Sequence, residues 1–461
     1  MTDPTVTRVD ARGLAAVARG EASLVVDGEA RRQVNAARAA LDTRIAEGRR
    51  IYGATTGYGP LAGTRVSPEH AERLQQGLID HLASGVGPPL PADTVRATMA
   101  ARLAALAQGW SGVRVEVVDH LAAMLNAGIV PEVPEAGTVG ASGDLTPLAH
   151  IALAATGRGR VLGGGDAADA LASAGLAPIR LTGKDGLALV NGTAAMAGTA
   201  ALNSADAANA IALAARLTAL YAECMGGRAD AFDPRFGAAR PHPGQQTALH
   251  WLQTLIAGSE RVHPADPVPP RLQDTPATGE PPQDPYTIRC APQDLGAALD
   301  ALAHHDGVLA TELHSATDNP LVDPETGHIL HGGNFYGQHL AYVSDLLNAV
   351  LVKLAQHAER ALARLTDTTR NGELPPFLHG GEAGLNSGFM GAQVSATALA
   401  AEMRTRAGPV SVHTLPTNGD NQDVVTLGTL AARTVREQLD RLYRVLAIHA
   451  LALTQAVELH G

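Results

Sequence analysis

Four long runs, 295–316, 337–366, 388–406 and 424–458, repeat apolar residues at the spacing of one helix face. A pattern of that period does not settle as a strand, so the second half of the chain is read as overwhelmingly helical. A fifth, alanine-rich helix is expected to open at Gly186-Leu187-Ala188-Leu189-Val190-Asn191-Gly192-Thr193 and to run well past residue 210. Asn191 is a good N-cap residue for it. Alanine at most of its positions lets neighbouring helices approach closely, which suits a tight bundle and dense subunit contacts. Residues 28–49, 68–84 and 95–127 also read as helical, and 461 residues are ample for a large core. No apolar run reaches membrane-spanning length. The most alanine-rich stretch, 194–225, is interrupted by Asn203, Asp206, Asn209 and Arg216.

Glycine punctuates these helices, most tellingly at Gly137-Thr138-Val139-Gly140-Ala141-Ser142-Gly143-Asp144-Leu145-Thr146-Pro147-Leu148. One reading is a loop into a helix capped by Asp144, with Pro147 in its first turn and Gly157 past its end. The other is chemical. In a turn forced tight, the unhindered amide nitrogen of Gly143 can attack the carbonyl carbon of Ala141. Loss of water from that ring and of the Ser142 hydroxyl leaves an exocyclic methylene, an electrophile built from the chain itself.

The other punctuation marks are read in the same way. Arg50-Ile51-Tyr52-Gly53-Ala54-Thr55-Thr56-Gly57-Tyr58-Gly59-Pro60 holds too many glycines for helix or central strand and is a loop, where Tyr52 is an anchor or a reacting group. His81-Leu82 ends a helix, where histidine commonly caps carbonyls. Gly157–Gly165 lacks the strand and helix start of a dinucleotide fingerprint and is read as a surface hairpin. Gly183-Lys184-Asp185 lacks the glycine and Ser/Thr of a phosphate loop. From Gly258 to Asp284 the chain is rich in Pro, Asp and Glu, a linker by composition. A net charge of −11 offers no basic face to nucleic acid. Two cysteines, Cys224 and Cys290, form no framework, so a reducing cytoplasm is expected, and Met1-Thr2-Asp3-Pro4 starts no signal peptide. The 18 histidines are scattered without a metal-binding spacing.

Gly137 to Leu145 resembles the signature of the aromatic amino acid ammonia-lyases and aminomutases that depend on 4-methylidene-imidazole-5-one (MIO). The resemblance implies that Ala141, Ser142 and Gly143 form MIO autocatalytically, with no metal, pyridoxal phosphate or nucleotide. The Tyr52–Gly59 segment is similar to the family's Tyr-Gly-x-x-Thr-Gly-[Phe/Tyr]-Gly loop, which makes Tyr52 the catalytic base and places Gly59 at the substrate. A phenol ionises near pH ~10 in water, so such a base needs helix N-termini or cations nearby. His81-Leu82 looks like the pair that reads the substrate ring in tyrosine-selective members. A buried imidazole there can bond a phenol hydroxyl and is left unpaired by phenylalanine. Leu189-Val190-Asn191-Gly192-Thr193 matches a motif whose asparagine touches the MIO carbonyl side.

Gln283-Asp284-Pro285-Tyr286-Thr287-Ile288-Arg289-Cys290 resembles the Gln-Asp-x-Tyr-Ser-x-Arg-Cys motif. It implies that Arg289 clamps the substrate carboxylate, that Tyr286 bonds near the amine, and that Gln283 lines the site. Asn319, Phe335, Asn421 and Gln422 fall on further landmarks, with turn and packing roles as competitors for Asn319 and Phe335. Histidine lyases carry glutamate at the Gln422 position, so glutamine points to a neutral ring.

The resemblance implies a mainly α superfold like that of the histidine and phenylalanine ammonia-lyases, around an elongated central helical bundle. It implies one domain over 1–461, with MIO and the tyrosine loop in 1–200 and the bundle in 200–461. Relatives usually continue with a further helical segment where this sequence stops. A homotetramer with shared active sites is expected, acting on L-tyrosine to release ammonia and 4-coumarate without a membrane or nucleic-acid partner. A tyrosine 2,3-aminomutase giving β-tyrosine is the alternative; phenylalanine or histidine lyases fit less well.

Overall fold

The computed structural model describes residues 3–265, 268–276 and 282–461, so the readings on Met1-Thr2 and on the middle of 258–284 fall in part outside them. Where aliphatic residues recur every three to four positions the chain is helical. The first helices are α1 (Ala11–Ala18), α2 (Gly28–Ala46), α3 (Ala71–Leu82), α4 (Ala92–Ala107), α5 (Val115–Asn126), α6 (Leu145–Ala155) and α7 (Ala167–Ser173). Then come α8 (Asp185–Val190), α9 (Ala194–Cys224), α10 (Arg235–Ala239), α11 (Pro243–Leu255) and α12 (Tyr286–Arg289). The last are α13 (Ala291–Leu313), α14 (Gln338–Leu365), α15 (Met390–Thr405) and α16 (Gly428–His460). Strands are few and short: β1 (Val86–Pro89) pairs antiparallel with β2 (Pro134–Ala136), and β3 (Leu321–Val322) with β4 (Ile329–Leu330).

Contacts group the chain into two units. The first holds residues 1–205, 305–345 and 409–433, and the second 206–304, 346–408 and 434–461. The chain passes from one to the other inside α9, α13, α14 and α16, and once outside a helix, between Gly408 and Pro409. In the first unit α4 is buried almost all round from Ala97 to Ala107, which is why it is built from alanine and leucine and shows no polar stripe. Around it pack Leu14, Ile79, Leu121, Ile151 and Leu202. The second unit has its own core, in which Leu252, Leu295, Leu351, Leu362, Leu442 and Leu453 meet.

Two readings of local structure are corrected. Helix α16 is, among the described residues, long and apolar enough to cross a membrane, contrary to the expectation that no run reaches that length. Its apolar residues Val435, Leu439, Leu442, Val445 and Leu446 are buried in the second unit's core, and Arg441 on its polar side pairs with Glu402 at 2.8 Å. That is the pattern of a core helix. The second correction concerns Asn191, which caps the C-terminus of α8. Helix α9 begins later, at Ala194, with the Thr193 carbonyl accepting the Ala197 N–H at 2.9 Å.

The short strands matter for placement. The β1–β2 register, Val86 opposite Ala136, sets the end of α3 beside the approach to Ala141. The β3–β4 hairpin, Leu321 opposite Leu330, folds Asn319 back against residues 331 and 332.

Candidate active site

Between Ala136 and Leu145 the backbone turns through four left-handed positions: Gly137 (φ 147°), Gly140 (73°), Ser142 (54°) and Gly143 (74°). Ser142 bears a side chain, and holding it there costs about 1–2 kcal/mol. Named contacts over-determine it. The Leu427 N–H donates to the Val139 carbonyl at 2.9 Å, and the Thr426 hydroxyl to the Gly140 carbonyl at 3.4 Å. Asp144 N–H donates to the Gly192 carbonyl at 2.7 Å. A Cβ on Gly143 would collide with the Gly192 backbone, so only glycine fits. Among the described residues the Gly143 N–H makes no hydrogen bond, leaving the nitrogen required for ring closure unengaged. Gln422 Nε2 donates to Ser142 Oγ at 3.2 Å, while Gln422 Oε1 accepts from the Thr417 hydroxyl at 2.8 Å, which fixes the amide's orientation.

Asp144 does not cap α6 through its side chain, as the sequence suggested. Its fully buried carboxylate turns away to accept the Met196 N–H at 2.8 Å and the Thr429 hydroxyl. Burial pushes it up to about 6, against the hydrogen bonds from Thr429 and Met196. It ties the starts of α6, α9 and α16 together. Helices α6 and α9 each begin two residues past the Gly143–Gly192 contact, so two positive helix ends converge on the Ser142 turn. The residues present therefore fit an MIO ring.

The loop 50–60 holds Tyr52 half-buried, with its hydroxyl oxygen accepting the Gly59 N–H at 2.9 Å. Gly59 sits at φ 50°, and a Cβ there would run into Asn418 Nδ2 at 2.7 Å. Tyr58 stands edge-on to Tyr52 with ring centroids 6.1 Å apart. Burial, and then the neighbouring Tyr52, push the Tyr58 phenol far above its ordinary range, so it stays neutral. Gln75 braces the loop by donating to the Gly53 carbonyl at 2.8 Å and to Tyr58 Oη at 3.0 Å.

On the far side, Asn191 Nδ2 donates to the Asn319 carbonyl at 3.1 Å, and its Oδ1 is buried with no partner among the described residues. Asn319 Oδ1 accepts the Gly332 N–H at 2.7 Å, and next along the chain His331 Nε2 accepts the Tyr52 N–H at 3.2 Å. Hydrogen bonds thus join these segments pairwise: Tyr52 to Gly59, Thr417 to Gln422, Gln422 to Ser142, Asp144 to Gly192, Asn191 to Asn319, Asn319 to Gly332, and Gly332's neighbour His331 to Tyr52. Two buried basic side chains that sequence reasoning missed pack among these segments. Lys184 and Asp318 form a 2.5 Å pair with both side chains fully buried, and Asp318 Oδ1 takes the Asn319 N–H at 2.7 Å. Fully buried Arg102 donates to the Ala188 carbonyl at 2.9 Å and the Thr317 carbonyl at 3.0 Å. Burial lowers it to about 10, which leaves it charged at neutral pH.

The remaining sequence-predicted residues are placed as follows. His81 is exposed within this chain, not buried as expected, because it lies on the last turn of α3 with Nδ1 at 2.9 Å from the Gly77 carbonyl. A carbonyl only accepts, so Nδ1 carries the proton, and in the neutral ring Nε2 is an acceptor. Leu82 packs on the core, Phe335 is half-buried, and Asn421 is exposed with its N–H on the Asn418 carbonyl at 3.3 Å. Gln283, Tyr286 and Arg289 belong to the second unit. There Tyr286 is 68% exposed, and the Arg289 guanidinium lies 4.5 Å from its ring centroid. Arg289 Nε is buried without a partner among the described residues, and Gln283 is exposed.

Comparison with known proteins follows this geometry. A family model described as aromatic amino acid lyase matches residues 9–461. A tyrosine ammonia-lyase of Cereibacter sphaeroides is 50% identical over 453 residues, covering 96% of this chain and 86% of that protein. A histidine ammonia-lyase of Caldanaerobacter subterraneus subsp. tengcongensis is 40% identical, covering 96% and 85%. The crystal structure of a tyrosine aminomutase from Streptomyces globisporus superposes with a TM-score of 0.94 at 36% identity, covering all of this chain and 89% of that one. A model matched from residue 9 to the last residue, and a relative sharing half its positions, leave one conclusion: the chain belongs to the aromatic amino acid lyase family.

Proposed function

We propose that this lyase eliminates ammonia from L-tyrosine to give 4-coumarate, using MIO made from Ala141, Ser142 and Gly143. The observation that supports the reading is the Ser142 turn, held at φ 54° with Gln422 on its hydroxyl, while hydrogen bonds tie the Tyr52 hydroxyl to Gly59 and the Asn191 carboxamide to Asn319. The relative from Cereibacter sphaeroides, named a tyrosine ammonia-lyase, supports the choice of substrate. So does His81, whose Nε2 is suited to accept a phenol O–H.

The MIO ring supplies an electrophilic methylene for the substrate amine. Tyr52, as phenolate, removes a proton from the β-carbon while the Gly59 N–H stabilises the oxygen that bears the charge. The C–N bond breaks with its electron pair leaving on nitrogen, and the carbon–carbon double bond forms. Asn191 Oδ1, buried and unpartnered, accepts an N–H at the reacting end. Arg289 takes the carboxylate through its planar fork, with Tyr286 beside it. Gln422 keeps the Ser142 neighbourhood neutral, which suits an uncharged aromatic ring.

The chain is proposed to act as one functional domain within a homotetramer that shares active sites. Exposed apolar residues such as Leu385 (83%) and Val394 (62%) are surface that an interface would cover. A cytoplasmic setting suits the two free thiols, Cys224 and Cys290. An aminomutase reading is favoured by the likeness to the Streptomyces globisporus structure. Product analysis after incubation with L-tyrosine decides between them: 4-coumarate and ammonia support the lyase, whereas a dominant β-tyrosine product transfers the site to the aminomutase.

A further inference from the structure

Helix α12 is only four residues long, too short to hold its own shape, yet it carries Tyr286 and Arg289. It breaks at Cys290, and among the described residues the Thr287 carbonyl receives no backbone N–H. Its donor comes from α14: His357 Nε2 lies 3.0 Å from the Thr287 carbonyl, while Nδ1 lies 2.9 Å from Asp294 Oδ2. A carbonyl and an ionised carboxylate both accept, and a neutral imidazole has only one N–H. The ring satisfies both partners only when it carries two protons. We propose that His357 is a positioning residue which, as an imidazolium held by Asp294, pins the Thr287 carbonyl and so fixes Tyr286 and Arg289 for substrate.

The charged and titratable groups around His357 agree with this. Asp294 on α13 is also approached by Lys353 Nζ at 3.9 Å. His449 on α16 is fully buried, and burial, reinforced by the charge of His357, pushes it down to about 3. His449 stays neutral, and the positive charge remains on His357. Tyr221 on α9 stands edge-on to His449 and reaches Thr287 Oγ1 with its hydroxyl at 3.3 Å, a second anchor on the same residue. A lost hydrogen bond to a charged group corresponds to an effect of about ten- to hundredfold.

The proposal rests on Tyr286 and Arg289 contacting substrate, so the test has one arm that needs no substrate. In His357→Leu, amide hydrogen exchange over residues 286–291 of the full-length protein should accelerate about tenfold or more. The KM for L-tyrosine should rise about tenfold or more, with kcat falling less. In Asp294→Asn, which keeps the shape and removes the charge holding the second proton, the alkaline rise in KM should move to lower pH. Exchange and KM of His357→Leu within twofold of wild type would overturn the proposal. Faster exchange with an unchanged KM would overturn its link to substrate. If His357→Leu does not fold, the Asp294→Asn pH profile decides, and an unmoved profile refutes. If the wild type leaves tyrosine untouched, the functional reading has failed, and hydrogen exchange alone decides whether His357 pins the turn.

Discussion

Replacing His81 with phenylalanine isolates the group proposed to read the substrate ring. His81 is exposed on the last turn of α3 and, among the described residues, its side chain makes one hydrogen bond, Nδ1 to the Gly77 carbonyl at 2.9 Å, which water can replace. Stability should therefore change by no more than about 0.5 kcal/mol, so any change in turnover belongs to recognition. With Nδ1 protonated, Nε2 is the acceptor for a phenol O–H. If, in the proposed homotetramer, the substrate phenol is held out of water there, loss of Nε2 strands that hydroxyl at a cost of about 1–3 kcal/mol, roughly 5- to 150-fold in kcat/KM for tyrosine. Phenylalanine gains in turn, because its ring no longer leaves an imidazole lone pair unsatisfied and the new side chain fills the space around it. Together the preference should move toward phenylalanine by about two to four orders of magnitude. The assay is kcat/KM for both amino acids in wild type and His81→Phe, with the acids formed identified. An unaltered ratio, or a wild type that prefers histidine, would refute the reasoning.

Ser142→Ala should fold, lack the near-ultraviolet absorbance of the conjugated ring and lose turnover by many orders of magnitude; a wild-type protein with an intact Ser142 hydroxyl sinks the MIO assignment. Tyr52→Phe should keep that absorbance and bind tyrosine while turnover falls by about 10²–10⁴ or more, and activity within tenfold of wild type would move the base elsewhere, with Tyr286 the first suspect. Arg289→Lys should raise KM strongly, since a point charge does not reproduce the guanidinium fork, and an unchanged KM would make Arg289 structural. His449 is held at about 3, below the ordinary histidine value of 6.5, so between those pH values the unfolded chain binds the extra proton. Its contribution to stability is full above pH ~6.5 and falls as the pH drops toward ~3, and His449→Leu should flatten that part of a denaturation-versus-pH curve.

Local signals carried far in this chain. Helical period located the long helices to within a few residues, and the density of glycine marked both the Tyr52 loop and the Ser142 turn. Failures came where a side chain chose a distant partner over a near one. Asp144 looked like the cap of α6 because capping is a short-range rule, but Met196 and Thr429 take its carboxylate in the fold. Asn191 looked like the start of α9, but its amide is used on Asn319. His331 and Arg102 carried no motif, and the contacts that give them meaning join segments far apart in sequence. Lys184 lay inside a stretch already singled out and Asp318 next to Asn319, yet nothing at either place pointed to the other, 134 residues away. His81 was expected to be buried, which the single chain does not provide.

The turn at Ser142 also sets a clock. It is pinned by Gln422, Thr426 and Leu427, and the Gln422 contact spans 280 residues of sequence. A ribosome adding roughly 5–20 residues per second needs about 14–56 s to cover that interval. A nascent chain that ends before Gln422 has the Ala-Ser-Gly triplet but not the strands of contact that compress it. The ring closure proposed for Ala141-Ser142-Gly143 is then expected to follow synthesis of the segment up to Leu427 rather than accompany that of the triplet. If MIO forms as proposed, ribosome-bound chains should lack its near-ultraviolet absorbance, which should appear only once the segment from Gln422 to Leu427 has docked.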